Sequence, residues 1–519
     1  KKPKVSALTV DGNRYPIRYK VMDANTIRIE TRDSIRIKLT AIQGPKPEDN
    51  RWYKIAQSAA RVAMMVRNVS VTYKNTYAMS ISGFRPEIGD MLGQTKGASG
   101  FAPGLDFAFG MTGDSYINKA LDNGWLVSDS VVSPATTNAQ EDLQIRMTLE
   151  PVRDLKIDLN AGRTRNKSNQ IQFMYEGMPQ IQSGNFNMTV ITIGSAFERR
   201  SASNGYSSSS FNRFLGNLDI IKNRIENMYA GVPYQGQSGL NQQPLYQVNK
   251  YSSDVMIPAF LAAYTGRSAS NSALDLFPGI LSMMPNWRVT YSGLSKLEFF
   301  KKYFKSVTLN HAYRSTYSVG SYSTFQNFHS YMGDWGFVDD IQTGIPVPSS
   351  MYDVSAVSIN EQFSPLLGVD VTFKNGITTK VEYKTTRILN LSLAANQIVE
   401  SSTKDFVLGM GYKIMGLELF PGRNKKDSKN KISNDLALRM DVSFRNQSAL
   451  ARDIQQVTTQ ATSGNKALKI SFSADYTLSR LLSVSFYYDR QKNTPLVSAS
   501  SYPVTSADFG MRLKFSLTR

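Results

Sequence analysis

From residue 68 onward, apolar and polar residues alternate along the chain with a period of two. The clearest example runs from Leu468 to Ser479, where Leu, Ile, Phe, Ala, Tyr and Leu alternate with Lys, Ser, Ser, Asp, Thr and Ser. Successive side chains of a β-strand point to opposite faces, so this segment has one apolar and one polar face. The alternation predicts long antiparallel strands with two chemically different faces.

About fifteen segments show this pattern. Strands of soluble sandwiches are usually about 5–6 residues long, whereas a tilted membrane-spanning strand needs about 9–11 residues. Aromatic residues make up 11% of the chain, charged residues only 19%, and mean hydropathy is −0.30. The sequence therefore predicts an all-β fold: a transmembrane antiparallel β-barrel segment of about 15 strands of a larger barrel. A soluble β-protein is the alternative.

A barrel wall assigns each strand residue to one of two surroundings, the polar lumen or the lipid. The polar register predicts these lumen-facing residues: Lys469, Ser471, Asp475, Arg439, Arg512 and Lys514. The apolar register predicts these lipid-facing residues: Leu468, Ile470, Phe472, Tyr476, Phe509, Leu513 and Phe515.

The domain organisation follows from changes in this pattern. Residues 1–50 read as a small N-terminal β-module, residues 51–67 as an amphipathic helix, and residues 68–519 as C-terminal barrel strands and loops. Two helical loop inserts are predicted, one carrying the apolar stripe of Phe214 to Met228 and one over Ser253–Gly266.

Connections are expected to alternate between short turns and long loops, as they do in outer-membrane barrels. Residues 478–481 read as a tight periplasmic turn, and residues 447–466 as a long extracellular loop. Residues 422–431 (GRNKKDSKNK) read as a basic periplasmic connection.

Residues suited to catalysis are scarce. The chain has no cysteine and only two histidines, His311 and His329. His311 falls in an apolar register and is expected to pack, while Asp339 and Asp340 are expected to be solvated in a loop without a histidine partner. We predict no enzymatic activity, no catalytic or cofactor-binding residue, no metal site and no cofactor.

The formal net charge is +19. Many Lys and Arg residues occupy the polar register of the strands, opposite the aromatic residues. A groove for nucleic acid would instead interleave cations with stacking aromatics. We therefore expect no nucleic-acid partner and interpret the cations as part of a polar lumen.

Several stretches resemble the SprA family, called Sov in oral relatives. The matching segments are Met65–Asn68, Phe101–Gly110, Asp122–Leu126, Thr148–Leu159, Ile257–Gly266, Pro285–Leu297, Phe304–Ser321, Glu361–Lys374 and Asn493–Leu517. The resemblance covers nearly the whole chain, least clearly residues 1–50, and corresponds to the C-terminal portion of a much longer protein.

This family is the outer-membrane translocon of the type IX secretion system in Bacteroidota. The resemblance implies a very large barrel in the cell outer membrane that exports folded cargo carrying a C-terminal signal, and gliding motility where species glide. It also implies a PorV-type partner barrel and a plug protein at a lateral opening, periplasmic and lipoprotein accessory subunits, and outer-membrane lipid as partners.

Other functions remain open from sequence alone. A self-contained outer-membrane channel or a TonB-dependent transporter is the closest alternative, although no N-terminal plug or energy-coupling motif is visible. A surface β-adhesin would be soluble without detergent. A membrane phospholipase would need a nucleophile and a histidine base. A chain with only two histidines is a poor match for that requirement.

Overall fold

The structure is a computed structural model. It describes residues 4–23, 26–42, 64–87, 89–97, 100–127, 133–174, 180–198, 200–232, 247–340, 344, 346–417, 435–478, 482–497 and 502–516. The chain divides into two compact units, Lys1–Arg67 and Asn68–Arg519.

The first unit is built from short strands, as the sequence predicts. They are β1 (Lys4–Thr9), β2 (Arg14–Tyr15), β3 (Arg18–Val21), β4 (Ile27–Glu30) and β5 (Ile37–Ile42). β1 pairs antiparallel with β2 and β5, while β3 and β4 form a separate hairpin. Most of the helix predicted over 51–67 falls on residues 51–63, which lie outside the described residues.

Among the described residues, the second unit forms one 14-stranded sheet and two small ones. Its strands are β6 (Val66–Ser80), β7 (Thr95–Gly97), β8 (Gly100–Ala102), β9 (Ala135–Val152), β10 (Leu155–Ile171), β11 (Ile181–Thr189), β12 (Asn286–Tyr291), β13 (Phe304–Thr324), β14 (Phe328–Met332), β15 (Trp335–Asp339), β16 (Pro346–Ser350), β17 (Tyr352–Val354), β18 (Ala356–Phe373), β19 (Ile377–Ser392), β20 (Gln397–Ile414), β21 (Leu436–Asp453), β22 (Thr459–Thr477), β23 (Leu482–Pro495) and β24 (Val504–Phe515).

The large sheet is antiparallel, and most of its strands pair with their neighbours in the sequence. Its order is β24-β23-β22-β21-β20-β19-β18-β13-β11-β10-β9-β6, with β12 joining β10 to β13 and β17 paired to β13. The predicted all-β class is therefore confirmed. No described helix is long and apolar enough to cross a membrane.

Several strands run well beyond their apolar stretches. β13 has 21 residues. β21 continues to Asp453, and β22 already begins at Thr459. The predicted long loop over 447–466 is therefore wrong, because its polar residues complete backbone ladders such as Asn446 with Lys466 and Gln447 with Asn465. The predicted turn and connection at 479–481 and 422–431 lie outside the described residues.

One strand position in the wall is filled by two separate strands. β11 pairs with one half of β10 and β13, through Arg163–Met188 and Met188–Tyr317, and β12 pairs with the other half, through Ile157–Val289 and Val289–His311. The chain between them, residues 190–285, leaves the sheet in mid-strand. We call it the helical insert; residues 199 and 233–246 within it lie outside the described residues.

Side chains replace the ladder hydrogen bonds that are lost at this interruption. The Ser315 amide donates to Asn286 Oδ1 (2.8 Å), and the Gly162 amide donates to Thr189 Oγ1 (3.1 Å). The Met284 amide donates to the Thr189 carbonyl (3.1 Å), which brings the two ends of the insert together. Buried backbone groups need such partners, and these bonds let the strand end at Thr189 without leaving the neighbouring backbone groups unpaired.

The helices lie in loops and in the helical insert. They are α1 (Leu105–Ala108), α2 (Tyr116–Asp122), α3 (Ile193–Ala196), α4 (Ser209–Met228), α5 (Ser253–Thr265) and α6 (Glu298–Tyr303). Ser208 caps α4 by accepting a hydrogen bond from the Phe211 amide, and Gly266 ends α5 in the left-handed conformation. Both inserts predicted as helical are confirmed, whereas α1, α2, α3 and α6 were not predicted.

The main core lies between α4, α5 and the sheet. Phe214, Leu218, Ile221 and Ile225 form one buried stripe of α4, and the cluster includes wall residues such as Leu389. A smaller core forms where Tyr116, Ile117 and Ala120 of α2 pack with Trp125 and Leu126. The main core, which the insert shares with the wall, therefore holds the insert against the sheet.

Removing part of this core should loosen the insert. Ile221 is fully buried and Ile220 is 40% exposed. We expect Ile221→Ala to destabilise the protein by about 2–5 kcal/mol, the usual cost of a large-to-small core substitution. Ile220→Ala should change stability by less than about 0.5 kcal/mol. Denaturant unfolding monitored by protease resistance of the insert measures both, and equal effects would contradict the packing.

Candidate functional site

Cross-strand pairing in the large sheet extends the two faces of each strand across the wall. Phe472 pairs with Met440 and Tyr488, and Met440 pairs with Met410, so these side chains share one face. Ser471 pairs with Asp441 and Asp489 on the opposite face. We call them the apolar face and the polar face. The register is uninterrupted between β20 and β21 and between β22, β23 and β24.

The register brings each predicted set of site residues to a single face. Lys469, Ser471, Asp475, Arg439, Arg512 and Lys514 all lie on the polar face. Leu468, Ile470, Phe472, Tyr476, Phe509, Leu513 and Phe515 all lie on the apolar face. The assignment of these faces to lumen and lipid stays a prediction.

The apolar face presents its large side chains outward over part of the strand length. Phe406, Phe444 and Phe472 remain 41–46% exposed although they belong to strands in the interior of the sheet. On β21 the apolar run extends from Leu436 to Phe444, which at about 3.4 Å per residue is roughly 27 Å of strand. We call this exposed region the apolar band.

Aromatic residues lie at both edges of the apolar band, in addition to those within it such as Phe472, Tyr488 and Phe509. One edge lies near the turns at 153–154 and 374–376, and the other, which we call the distal edge, faces the helical insert. The first edge carries Tyr291, Phe304, Phe373, Tyr412 and Tyr476, and the distal edge carries Trp287, Tyr383, Phe406 and Phe444. Aromatic girdles on both sides of an apolar band about 25 Å tall are typical of outer-membrane barrels.

The polar face carries charged side chains that are paired along and across strands. Glu382 contacts Lys380 and Lys384 at 2.9 Å, and Arg445 contacts Asp405 at 2.8 Å. These pairs are partly exposed, and such pairs contribute little to stability. They make the surface hydrophilic while cancelling much of its local charge.

A shallow groove of about 330 Å³ crosses the polar face. Gly409 and Gly411 form part of its floor, and Lys380, Arg439 and Asp441 line it. The groove exists because the two glycines leave the wall without side chains at these positions. It is an open, hydrated depression and not an enclosed pocket for a small molecule.

Beyond the distal edge, the apolar face carries buried charges under the insert. Arg387 pairs with Glu361 (2.6 Å) and donates to the Ser195 carbonyl (2.6 Å). Glu400 pairs with Arg200 (2.5 Å) and Arg452 (3.1 Å). Arg387, Glu361, Glu400 and Arg452 are all at most 3% exposed at their side chains. Removing one partner of a buried pair typically costs about 3–5 kcal/mol, so these pairs hold the insert in one position.

These four residues were not predicted as site residues. Glu361 and Arg387 lie in otherwise apolar registers, next to Ile359 and Leu389, and that pattern is a recognisable signal of a covered charge. Their partners could not be predicted, because Arg387 and Ser195 are 192 residues apart.

Two further carboxylates anchor the insert. Burial raises the pKa of Glu198, but hydrogen bonds from Ser208, Ser210 and Ser209 outweigh it and lower the pKa to about 2. Asp254, at the start of α5, accepts hydrogen bonds from Ser349 and from the hydroxyl and amide of Ser350. Its complete burial nevertheless raises its pKa.

His311 packs among aromatic residues, and His329 lies beside a carboxylate. His311 lies on the apolar face beside Trp287 and Phe363, and its Nδ1 is 2.7 Å from the Leu366 carbonyl. The expectation that Asp339 lacks a histidine partner is wrong: β15 places its Oδ2 3.2 Å from His329 Nε2. This pair is exposed at the surface. Within the described residues, no group of three or more His, Cys, Asp or Glu could hold a metal ion.

No protein-family model matches the chain, and no curated protein matches it. Among solved structures, the in-vitro folded trimer form of OmpT, an outer membrane protein of Vibrio cholerae, aligns at 8% identity over 86% of this chain and 99% of that one, with a TM-score of 0.19. An anion-selective porin from Comamonas acidovorans aligns at 8% identity over 86% of this chain and 100% of its own, with a TM-score of 0.09. Structural similarity at these TM-scores assigns neither a fold family nor a function to this chain.

The two faces should respond differently to an introduced cation. In refolding into lipid bilayers, we expect Phe472→Arg to cost about 2–4 kcal/mol, as cations do on the lipid side of a barrel near the midplane. Ser471→Arg, its neighbour on the polar face, should cost several times less. Equal costs for the two variants would remove the assignment of the apolar face to lipid.

Proposed function

We propose that this chain forms part of the wall of an outer-membrane translocon of the type IX secretion class, which conducts folded cargo proteins through a polar lumen. The observation that carries the proposal is the apolar band opposite a continuous polar face. Backbone groups in a bilayer must be paired internally, and neighbouring strands of the wall pair them with each other. The apolar face supplies the side chains that suit contact with lipid. The band would then lie in the outer membrane and the polar face would line the passage.

The polar face suits a passage better than a binding site. Several of its charges are paired at short range, as in Lys380–Glu382–Lys384 and Arg445–Asp405, so a passing protein would meet a hydrophilic surface whose charges are partly neutralised. The groove beside Gly409 and Gly411 on this face is shallow and open. Such a surface guides cargo without retaining it, which is the requirement for passive conduction.

The open edges of the sheet support a wall that continues into further strands. In the described residues, β24 pairs with β23 alone and β6 with β9 alone. Phe509 and Leu513 on β24 are 79% and 61% exposed. An unpaired edge in a bilayer costs several kcal/mol for each unsatisfied backbone group. We therefore propose that both edges pair with strands outside this sequence, in a barrel larger than this chain.

The assignment to the type IX class rests on the sequence resemblance to the SprA family. Its partners are part of the same proposal: a PorV-type barrel and a plug protein at a lateral opening, accessory subunits, and cargo with a C-terminal signal. A self-contained channel or TonB-dependent transporter would share the two faces of the wall but would require β24 to pair with β6.

Disulfide crosslinking in the membrane distinguishes the two architectures, because the chain has no native cysteine. Cysteines along 509–515 should form no register-specific crosslinks with cysteines along 69–80. A cysteine pair at Tyr488 and Phe509, which are cross-strand neighbours, serves as the positive control. Efficient crosslinks of a single register between β24 and β6 would indicate a self-contained barrel and contradict the larger wall.

A further inference from the structure

A row of polar and basic side chains follows the distal edge of the apolar band. Lys404, Asn446 and Lys466 are successive cross-strand neighbours on the apolar face, one row beyond Phe406, Phe444 and Leu468. Lys404 and Lys466 are exposed. Neither makes an ion pair within 4.0 Å with any carboxylate in the described part of the chain. On a membrane-facing surface, this row lies at the depth where lipid headgroups begin.

A cavity of about 250 Å³ opens beside Lys404, between the strands and the helical insert. Its volume has room for several water-sized groups, which occupy about 30 Å³ each in the liquid. Phe197 and Tyr383 form an apolar side, and Phe197 is 56% exposed. Arg200, Ser402 and Ser448 form a polar side. We call it the headgroup cavity.

The headgroup cavity has unused hydrogen-bond donors, whereas its carboxylates already have partners, although Glu400 Oε1 makes an ion pair with Arg200 and no hydrogen bond. Glu400 is paired with two arginines, and Glu198 accepts hydrogen bonds from three serines. Arg200 Nε is buried without a hydrogen-bond partner, and the Lys404 ammonium is unpaired within the described residues. Buried polar atoms are rarely left unpaired without a reason. The donors that remain without a partner are therefore those of cations, and they favour an anionic ligand.

The apolar side of the cavity is continuous with the band. Tyr383 is the cross-strand neighbour of Phe406, and Lys404 precedes Phe406 by two residues on the same face. A ligand with an anionic group in the cavity would therefore have its apolar part over the band. That distribution of charge and apolar surface is the one found in a membrane lipid.

We propose that the headgroup cavity binds the phosphate group of a membrane lipid headgroup, with Lys404 and Arg200 as the cationic contacts and the acyl chains over Tyr383 and Phe406. This inference rests on the proposed function, because it requires the apolar face to contact lipid. Phosphate accepts several charge-assisted hydrogen bonds from Lys and Arg, which are stronger than neutral ones. A bound lipid would join the insert to the wall at the membrane surface.

Native mass spectrometry of the purified protein in neutral detergent tests the site. The probe is dihexanoyl phosphatidylglycerol, with dihexanoyl glycerol, which lacks the phosphate, as the matched ligand control. We expect one saturable adduct with the phospholipid and none with the diacylglycerol. Lys404→Gln should weaken the adduct about tenfold, the scale of one charge-assisted hydrogen bond. Lys404→Arg should retain it.

Lys469→Gln is the matched protein control, since Lys469 is also an exposed strand lysine but lies on the polar face. It should leave the adduct unchanged. An absent adduct, or equal weakening by Lys404→Gln and Lys469→Gln, would overturn the site. If inorganic phosphate displaces the phospholipid with an affinity equal to that of the phospholipid itself, the occupant would not be a lipid. The Phe472→Arg and Ser471→Arg comparison reports separately on the membrane assignment, so failure of the cavity alone leaves that result intact.

Discussion

The constraint on which this structure depends is the cross-strand register of β20 to β24 in the large sheet. A shift of one residue between two strands would move every side chain of one strand to the other face. Since β20 through β24 keep register on the Leu436 side of the shift at Ala449, Met410, Met440, Phe472, Tyr488 and Phe509 lie side by side. The apolar band and the polar face are both products of that register, and neither is encoded by any one strand.

The helical insert is placed by the same constraint. Residues 190–285 leave the wall where β11 ends and β12 has not yet begun, and they cover the apolar face only beyond the distal edge. Covering that face buries Glu361, Arg387, Glu400 and Arg452, which form ion pairs within the wall. Arg387 and Glu400 also bond to Ser195 and Arg200 of the insert. Register irregularities in β13 and β18, after Asn310 and Phe363, lie next to this boundary. The wall thus has an exposed apolar half and an insert-covered half.

Sequence reasoning could predict what local periodicity encodes. The alternation at 468–478 is enough to assign each residue of β22 to a face, and the stripe from Phe214 to Met228 is enough to predict α4. The polar ends of β21 and β22 were missed because Asn446 and Gln447 show no apolar alternation, and long-range pairing extends the ladder there. The pairs of Arg387 and Arg452 with the insert depend on contacts between residues 192 and 246 positions apart, which periodicity does not contain.

Spin-label accessibility along β21 in lipid bilayers tests the central claim most directly. Single cysteines at residues 437–443 can be labelled cleanly in a chain without native cysteine. The account predicts that labels at Leu438, Met440 and Val442 collide mainly with oxygen dissolved in the bilayer. Labels at Arg439, Asp441 and Ser443 should collide mainly with a water-soluble nickel complex. Accessibility without a period of two, or nickel access to the apolar positions, would contradict a wall between lipid and a polar lumen.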